Sequence, residues 1–223
     1  MNPLVPVRRS FVYRNSIAPI SIDGTIDGKR APASGEAKLK LVDLSVLPRW
    51  GMKGREALGY LQTQGAVLPT RDNKAERQRD GSLVARLSLG EALILPALPT
   101  GRSSMAEAIE SLPPEGRGAC YPVLRRDSHC WFIVTGSDAP PMFAKLCAID
   151  LAADQFADGS VAQTSIARLT AIVIRHDIAR TVSFSVLAES ASAEYLWVCL
   201  ADAMAEFSGE ICGMESLSAA EQL

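Results

Sequence analysis

The sequence is poor in the groups that most often carry out catalysis. It holds two histidines in 223 residues, and aromatic residues make up only 6%. Neither sign of charge dominates: 23 Lys and Arg stand against 25 Asp and Glu, for a net charge of −2. Without a basic excess or stripe, the phosphate-neutralising surface of a nucleic-acid binder is excluded. No apolar run approaches the ~20 residues of a bilayer-spanning helix, so no membrane role is expected. The glycine-rich signatures are missing too. There is no G-x-G-x-x-G after a strand, no G-x-x-x-x-G-K-[ST] and no G-x-S-x-G, which removes the dinucleotide fingerprint, the P-loop and the nucleophile elbow. The five cysteines (Cys120, Cys130, Cys147, Cys199, Cys212) are odd in number and not spaced as a disulfide framework. A reducing, cytoplasmic setting is the expectation. Arg8-Arg9-Ser10-Phe11-Val12 echoes a twin-arginine signal, but Asn15, Ser16, Pro19, Asp23 and Asp27 follow where an export signal needs an apolar stretch.

What is present is ample core material: 48% hydrophobic and 22% charged residues, the composition of a globular protein. Prolines and glycines divide the chain. Residues 1–35, with Pro3, Pro6, Pro19 and Pro32, read as an N-terminal arm that is either a free tail or drapes over a partner. Residues 36–95 read as a first α+β lobe, 96–122 as a Pro/Gly-punctuated linker, 123–209 as a second lobe and 210–223 as a tail. In the first lobe, strands are expected over Lys38–Ser45 and Trp50–Lys53. A helix over Arg55–Gln64 stops at Gly65, a charged loop covers 70–80, and Leu83–Leu95 forms a hairpin. In the linker, Ser103–Ser111 suits a short helix capped by Ser103 or Ser104, with Glu107 as capping-box partner. In the second lobe, His129–Thr135 is a strand and Asp138 caps a helix ending near Cys147. Val161–Arg168, Ala171–Arg175 and Thr181–Leu187 are strands, and Ser190–Phe207 is a helix. That last helix carries an apolar face of Tyr195, Leu196, Cys199, Ala203 and Phe207, which turns Trp197 away from the core toward a possible partner.

The lobes echo each other. Trp50, Gly54 and Ala57 lead into one helix, and Trp131, Gly136 and Ala139 into the other. Asp80-Gly81-Ser82 and Asp158-Gly159-Ser160 each precede a hairpin. The fold class is therefore α+β, with two pseudo-repeated lobes of mixed or antiparallel sheet and packed helices.

No catalytic, cofactor-binding or metal residue is assigned. Cys120, His129 and Cys130 could form a zinc cluster, but the paired C-x₂-C spacing is absent, and a surface histidine beside a core cysteine is favoured. His176-Asp177 reads as turn chemistry, because sequence adjacency does not make a His–Asp dyad. Cys147 ends a helix, away from the dipole that acidifies a thiol, and Cys199 sits on the apolar helix face.

The order and spacing of several pieces point to a family. Cys130 to Ala139 (CWFIVTGSDA), Ala144 to Leu151 (AKLCAIDL), Phe156, Gly159, Ala162, Gln163 and Thr164, and the late Tyr195-Leu196-Trp197 resemble the gamma subunit of heterotetrameric sarcosine oxidase. The family usually has Lys-Gly-Cys before its Asp-Leu pair, where this chain has Lys145-Leu146-Cys147. The resemblance implies an aminomethyltransferase-like fold, related also to the iron–sulfur-cluster folate proteins. It implies alpha, beta and delta subunits as partners, with FAD, FMN, NAD, zinc and tetrahydrofolate held in those other subunits and no cofactor in this chain. The implied reaction is oxidative demethylation of sarcosine or a related N-methyl amino acid, the methyl carbon passing to tetrahydrofolate or leaving as formaldehyde. Aminomethyltransferases carry Gly-Gly-x-x-Asp-Asp, whereas the similar segment here, Asp80 to Ala85, ends in Val84 and Ala85. The Lys-Gly-Cys-Tyr-x-Gly-Gln-Glu motif of the iron–sulfur folate proteins is missing as well. A non-catalytic subunit is the expectation, and a stand-alone folate-binding protein of the same fold is the alternative.

Overall fold

The computed structural model describes residues 10–12, 25–26, 29–30, 38–98, 100–112 and 118–217. Apart from Ser10–Val12 and a two-residue ladder of β1 (Thr25–Ile26) with β2 (Lys29–Arg30), the N-terminal arm lies outside the described residues. The first half then runs β3 (Lys40–Asp43), β4 (Trp50–Lys53), α1 (Ala57–Thr63), β5 (Lys74–Arg77), β6 (Leu83–Ser88), β7 (Glu91–Leu95) and α2 (Ser104–Glu110). The second half runs β8 (Tyr121–Leu124), a single turn α3 (Arg125–Ser128), β9 (His129–Thr135), α4 (Ala139–Phe143), β10 (Val161–Ile166), β11 (Leu169–Arg175), β12 (Ser183–Glu189), α5 (Ala193–Ala205) and β13 (Glu210–Cys212).

Two sheets result, one ordered β5-β6-β7-β4-β8 and the other β10-β11-β12-β9-β3-β13. They stack face to face, as helix-backed sheets do when each must bury both surfaces. Leu83, Ala85, Leu87, Leu93 and Leu95 of one meet Val42, Trp131, Ile133, Ile174 and Leu187 of the other. The outer face of the first sheet (Met52, Val84, Ala92, Ile94) is covered by α1 and α2 through Ala57, Leu61, Met105 and Ile109. The outer face of the second (Phe132, Val134, Phe184, Val186) is covered by α4 and α5. Four layers follow: helices, sheet, sheet, helices. Central strands with two buried faces lose the polar alternation of a half-exposed strand. This accounts for continuous apolar runs such as Trp131–Val134.

The halves exchange strands. β3, from the first half, pairs antiparallel with β9 of the second, and β8, from the second half, pairs antiparallel with β4 of the first. The glycines after β4 and β9 mark the equivalence. Gly54 and Gly136 both have φ +127°. A Cβ on Gly54 would lie 2.0 Å from the Ala119 carbonyl oxygen, and one on Gly136 would lie 2.0 Å from that of Lys38. Those carbonyls, each just ahead of an exchanged strand, accept from Glu56 N and Asp138 N, at 3.2 Å in both cases. The Asp-Gly-Ser part of the repeat is not equivalent: Asp80 to Ser82 joins β5 to β6, whereas Asp158 to Ser160 leads into β10. The tryptophans are also one position out of step, four residues before Gly54 and five before Gly136.

Several expectations are corrected. The charged segment 70–80 contains strand β5. Only Ala75 of that strand is buried, so its apolar signal is weak, yet Ala75 N donates to Gly159 O at 2.7 Å and Lys74 Nζ to Ser160 Oγ at 2.9 Å, tying the sheets at their edges. The expected linker 96–122 supplies α2 to the first half's outer layer and the beginning of β8 to its sheet. Ser103 Oγ accepts from Met105 N, as a cap would; the side chain of Glu107 lies outside the described residues. Asp138 makes no side-chain cap bond to α4. The expected tail 210–223 contributes β13, parallel to β3, and buries Leu217. On α5 the buried stripe is Ala193, Leu196, Trp197, Leu200, Ala203 and Met204, a spacing of three and four that rotates Tyr195 outward. Trp197 is therefore core, edge-on to Phe132 at 5.1 Å between ring centroids. Among the described residues no helix is long and apolar enough to cross a membrane.

Candidate functional site

The residues singled out from sequence do not converge. Val84 and Ala85, adjacent on β6, point to opposite faces and are fully buried, Val84 under α1 and α2 and Ala85 between the sheets. Neither face has room there for a solvated carboxylate pair. Cys120 is buried in the first sheet's outer core and Cys130 in the second's, so the proposed zinc ligands are divided between two cores. Among the described residues no group of three or more His, Cys, Asp or Glu is placed to hold a metal. His129 instead lies against Arg125 Nη1 and Ser128 Oγ, and burial followed by the Arg125 charge lowers its pKa to about 4. Burial raises the Cys130 thiol to about 11, which leaves it inert. Cys147 is buried and Cys199 half-buried on α5.

His176 and Asp177 separate in the way adjacent side chains of an extended chain do. Asp177 turns to Arg175, which clasps it through Nε–Oδ1 at 3.0 Å and Nη2–Oδ2 at 2.9 Å. His176 turns inward, is 6% exposed, and places Nε2 2.7 Å from Ser185 Oγ. The same oxygen receives the indole N–H of Trp131 at 2.8 Å. An indole nitrogen only donates, so the Ser185 proton needs an acceptor, and His176 Nε2 is the one within reach. The network assigns the ring proton to Nδ1. Burial, then the nearby Arg77 charge, lowers the His176 pKa to about 4, so the ring is neutral at pH 7. Trp131 and His176, the two ends of this row, line a cleft of about 330 Å³ between the two sheets, whose walls include Arg77, Leu83, Leu95 and Leu98.

The shifted histidines make stability pH-dependent. A base with its folded pKa below the unfolded value stabilises fully above about 6.5 and loses that contribution as pH falls through about 4. For His176, which is 6% exposed, the loss is about 3 kcal/mol. Urea unfolding midpoints are expected to drop between pH 7 and pH 4.5, and both histidine C2–H resonances to titrate near pH 4 instead of 6.5.

A second polar cluster joins the halves where their strands exchange. Arg49, 1% exposed, lies on the β3–β4 connection. Its Nη1 donates to the carbonyls of Ser45 (3.3 Å) and Leu47 (2.7 Å), and its Nη2 to those of Arg126 (2.6 Å) and His129 (2.7 Å), across to the β8–β9 connection. Nearby Asp43 is buried, which raises its carboxyl pKa. Its Oδ1 accepts from Ser45 N at 2.8 Å, and Oδ2 accepts from the Ser10 hydroxyl of the arm. Val12 follows into the core, so this piece of the arm is docked. Sequence reasoning passed over Asp43, Arg49 and Ser185. The available signals were two lone charges in the apolar stretch Leu41–Trp50, and serines at alternate positions of a strand, Ser183 and Ser185.

No protein-family model and no curated protein matches the sequence. Solved structures do match in shape. A chain of the heterotetrameric sarcosine oxidase from Corynebacterium sp. U-96 superposes with a TM-score of 0.62 at 20% identity, covering 78% of this chain and 88% of that one. The fold is aminomethyltransferase-like. The glycine cleavage system aminomethyltransferase T from Bartonella henselae also gives a TM-score of 0.62, at 14% identity, over 83% of this chain. This chain spans about half of that enzyme, 51%. At such identities the likeness carries the architecture of two stacked, helix-backed sheets, and function is argued from the site.

Proposed function

We propose that this chain is a non-catalytic, gamma-type subunit of a sarcosine oxidase-like flavoenzyme complex, assembled with alpha-, beta- and delta-type partners that hold the FAD, FMN, NAD, zinc and tetrahydrofolate. The complex would oxidatively demethylate sarcosine or a related N-methyl amino acid. The observation that carries this reading is the burial of Val84 and Ala85 in two separate cores at the place where the enzyme motif has its acidic pair. Aliphatic side chains neither orient nor deprotonate an amine, so these residues do not fit folate chemistry, and no step is assigned to this chain. The extent of the match to a sarcosine oxidase chain supports a subunit-sized protein of this shape. The exposed Tyr195 and Val198, one turn apart on α5, add apolar surface of the kind subunits bury.

Tagged protein purified gently from its native cells is expected to bring down larger partners, to show flavin absorbance, and to oxidise an N-methyl amino acid. A colourless single chain with saturable folate binding would favour the stand-alone folate-binding alternative. Full assembly and activity of the partner complex without this chain would remove the subunit role altogether.

A further inference from the structure

The cleft between the sheets has no part in the subunit role, and its chemistry is specific. Its walls are mixed: Leu83 and Leu95 of the first sheet, with Leu98 beside them, supply the apolar part, and polar groups supply the rest. Two kinds of polar group reach it. The exposed Arg77 gives one Nη2 bond to the Asp177 carbonyl at 3.2 Å, which leaves the rest of its donor fork available. His176 is held by Ser185 through Nε2, and its protonated Nδ1 has no hydrogen-bond partner among the described residues. Both are donors. The one carboxylate lining the cleft, Asp177, is paired through both oxygens with Arg175. With the imidazole neutral, Arg77 is the one cation of the lining among the described residues, and the one anion, Asp177, is already paired with Arg175.

We propose that this cleft binds a small monocarboxylate with a flat apolar body, its carboxylate on Arg77 and the His176 Nδ1–H and its body between Leu83, Leu95 and Leu98. A guanidinium fork matches a carboxylate in a way that a neutral amide cannot reproduce. The volume, at the lower end of small-molecule sites, accommodates a single ring. The inference is independent of the subunit role and is tested on the full chain by itself.

Because the chain has only two histidines, its C2–H resonances form a built-in probe, with His129 as the control. Loss of one signal in His129→Gln assigns the pair. Titration with benzoate is expected to shift the His176 resonance saturably, with a Kd in the low-millimolar range or tighter, about −4 kcal/mol, and to leave His129 in place. Benzamide, equal in shape and uncharged, is expected to bind about tenfold more weakly. Arg77→Gln, a change at an exposed side chain, is expected to remove that difference by weakening benzoate alone. Equal affinities for the two probes, a shift at His129 instead of His176, or unchanged benzoate binding in Arg77→Gln would each overturn the proposal. So would the absence of a saturable shift.

Discussion

Gly136→Ala is expected to lower the melting temperature by about 8–16 °C, corresponding to about 4 kcal/mol or more. Two costs combine. At φ +127° the backbone is in a region that residues with a Cβ rarely occupy, and the added methyl would stand 2.0 Å from the Lys38 carbonyl oxygen. That oxygen is backbone, two residues ahead of β3, and it accepts the Asp138 amide that starts the turn into α4. Relieving the clash means pushing away the strand lent by the first half. Gly54→Ala is expected to behave alike through Ala119. Gly59, inside α1 with open space around its Cα, provides the contrast: Gly59→Ala is expected to leave stability unchanged or raise it by about 0.5–1 kcal/mol. Circular dichroism melts of the three variants check this, and a Gly136→Ala melt within about 2 °C of the parent would contradict the role given to the exchanged strand.

Arg49→Met should destabilise by about 3–5 kcal/mol at neutral pH. The substitute fills much of the same volume but leaves four inward carbonyls, from Ser45, Leu47, Arg126 and His129, without their donor. It also removes the positive charge that steadies the buried Asp43 carboxylate, so that carboxyl is driven further toward its neutral form. For an acid with a raised folded pKa, the stabilising contribution is present below the unfolded value near 3.8 and is lost as pH rises through the folded one. The Arg49→Met deficit is therefore expected to shrink on acidification. Adding Asp43→Asn should recover part of it at pH 7. Urea midpoints of the two single variants and the double variant at two pH values measure this coupling. A double variant as unstable as the sum of the singles would show that Asp43 and Arg49 act independently.

Much of this architecture could be read before the structure was known, and the failures have physical reasons. The glycine turns at Gly54 and Gly136 and the helices that follow announce the two halves, because a special backbone conformation demands a special residue. β5 was illegible because Lys74, Glu76 and Arg77 are exposed and only Ala75 faces the core. β8 was hidden by Pro122 in an edge strand, where the missing N–H is tolerated. β13 is three residues long and mostly solvent-facing. The exchange itself leaves no local mark, since a strand's hydrophobic pattern does not record which sheet receives it. The candidate cleft was harder still. His176 follows a strand as a turn residue would, and only the arrival of Ser185 and Trp131 from two other strands makes it interior.

Strand exchange also sets an order of events at the ribosome. When residues 40–95 have emerged, β3 has no sheet to join and the β4 edge has no neighbour, because both partners are still to be made. The first sheet waits for Leu124, and β3 is seated only when β9 arrives. The nascent first half therefore spends part of synthesis with an open, apolar strand edge, the condition under which chaperone holding matters most. Both sheets can therefore be completed only after β8 and β9 have emerged.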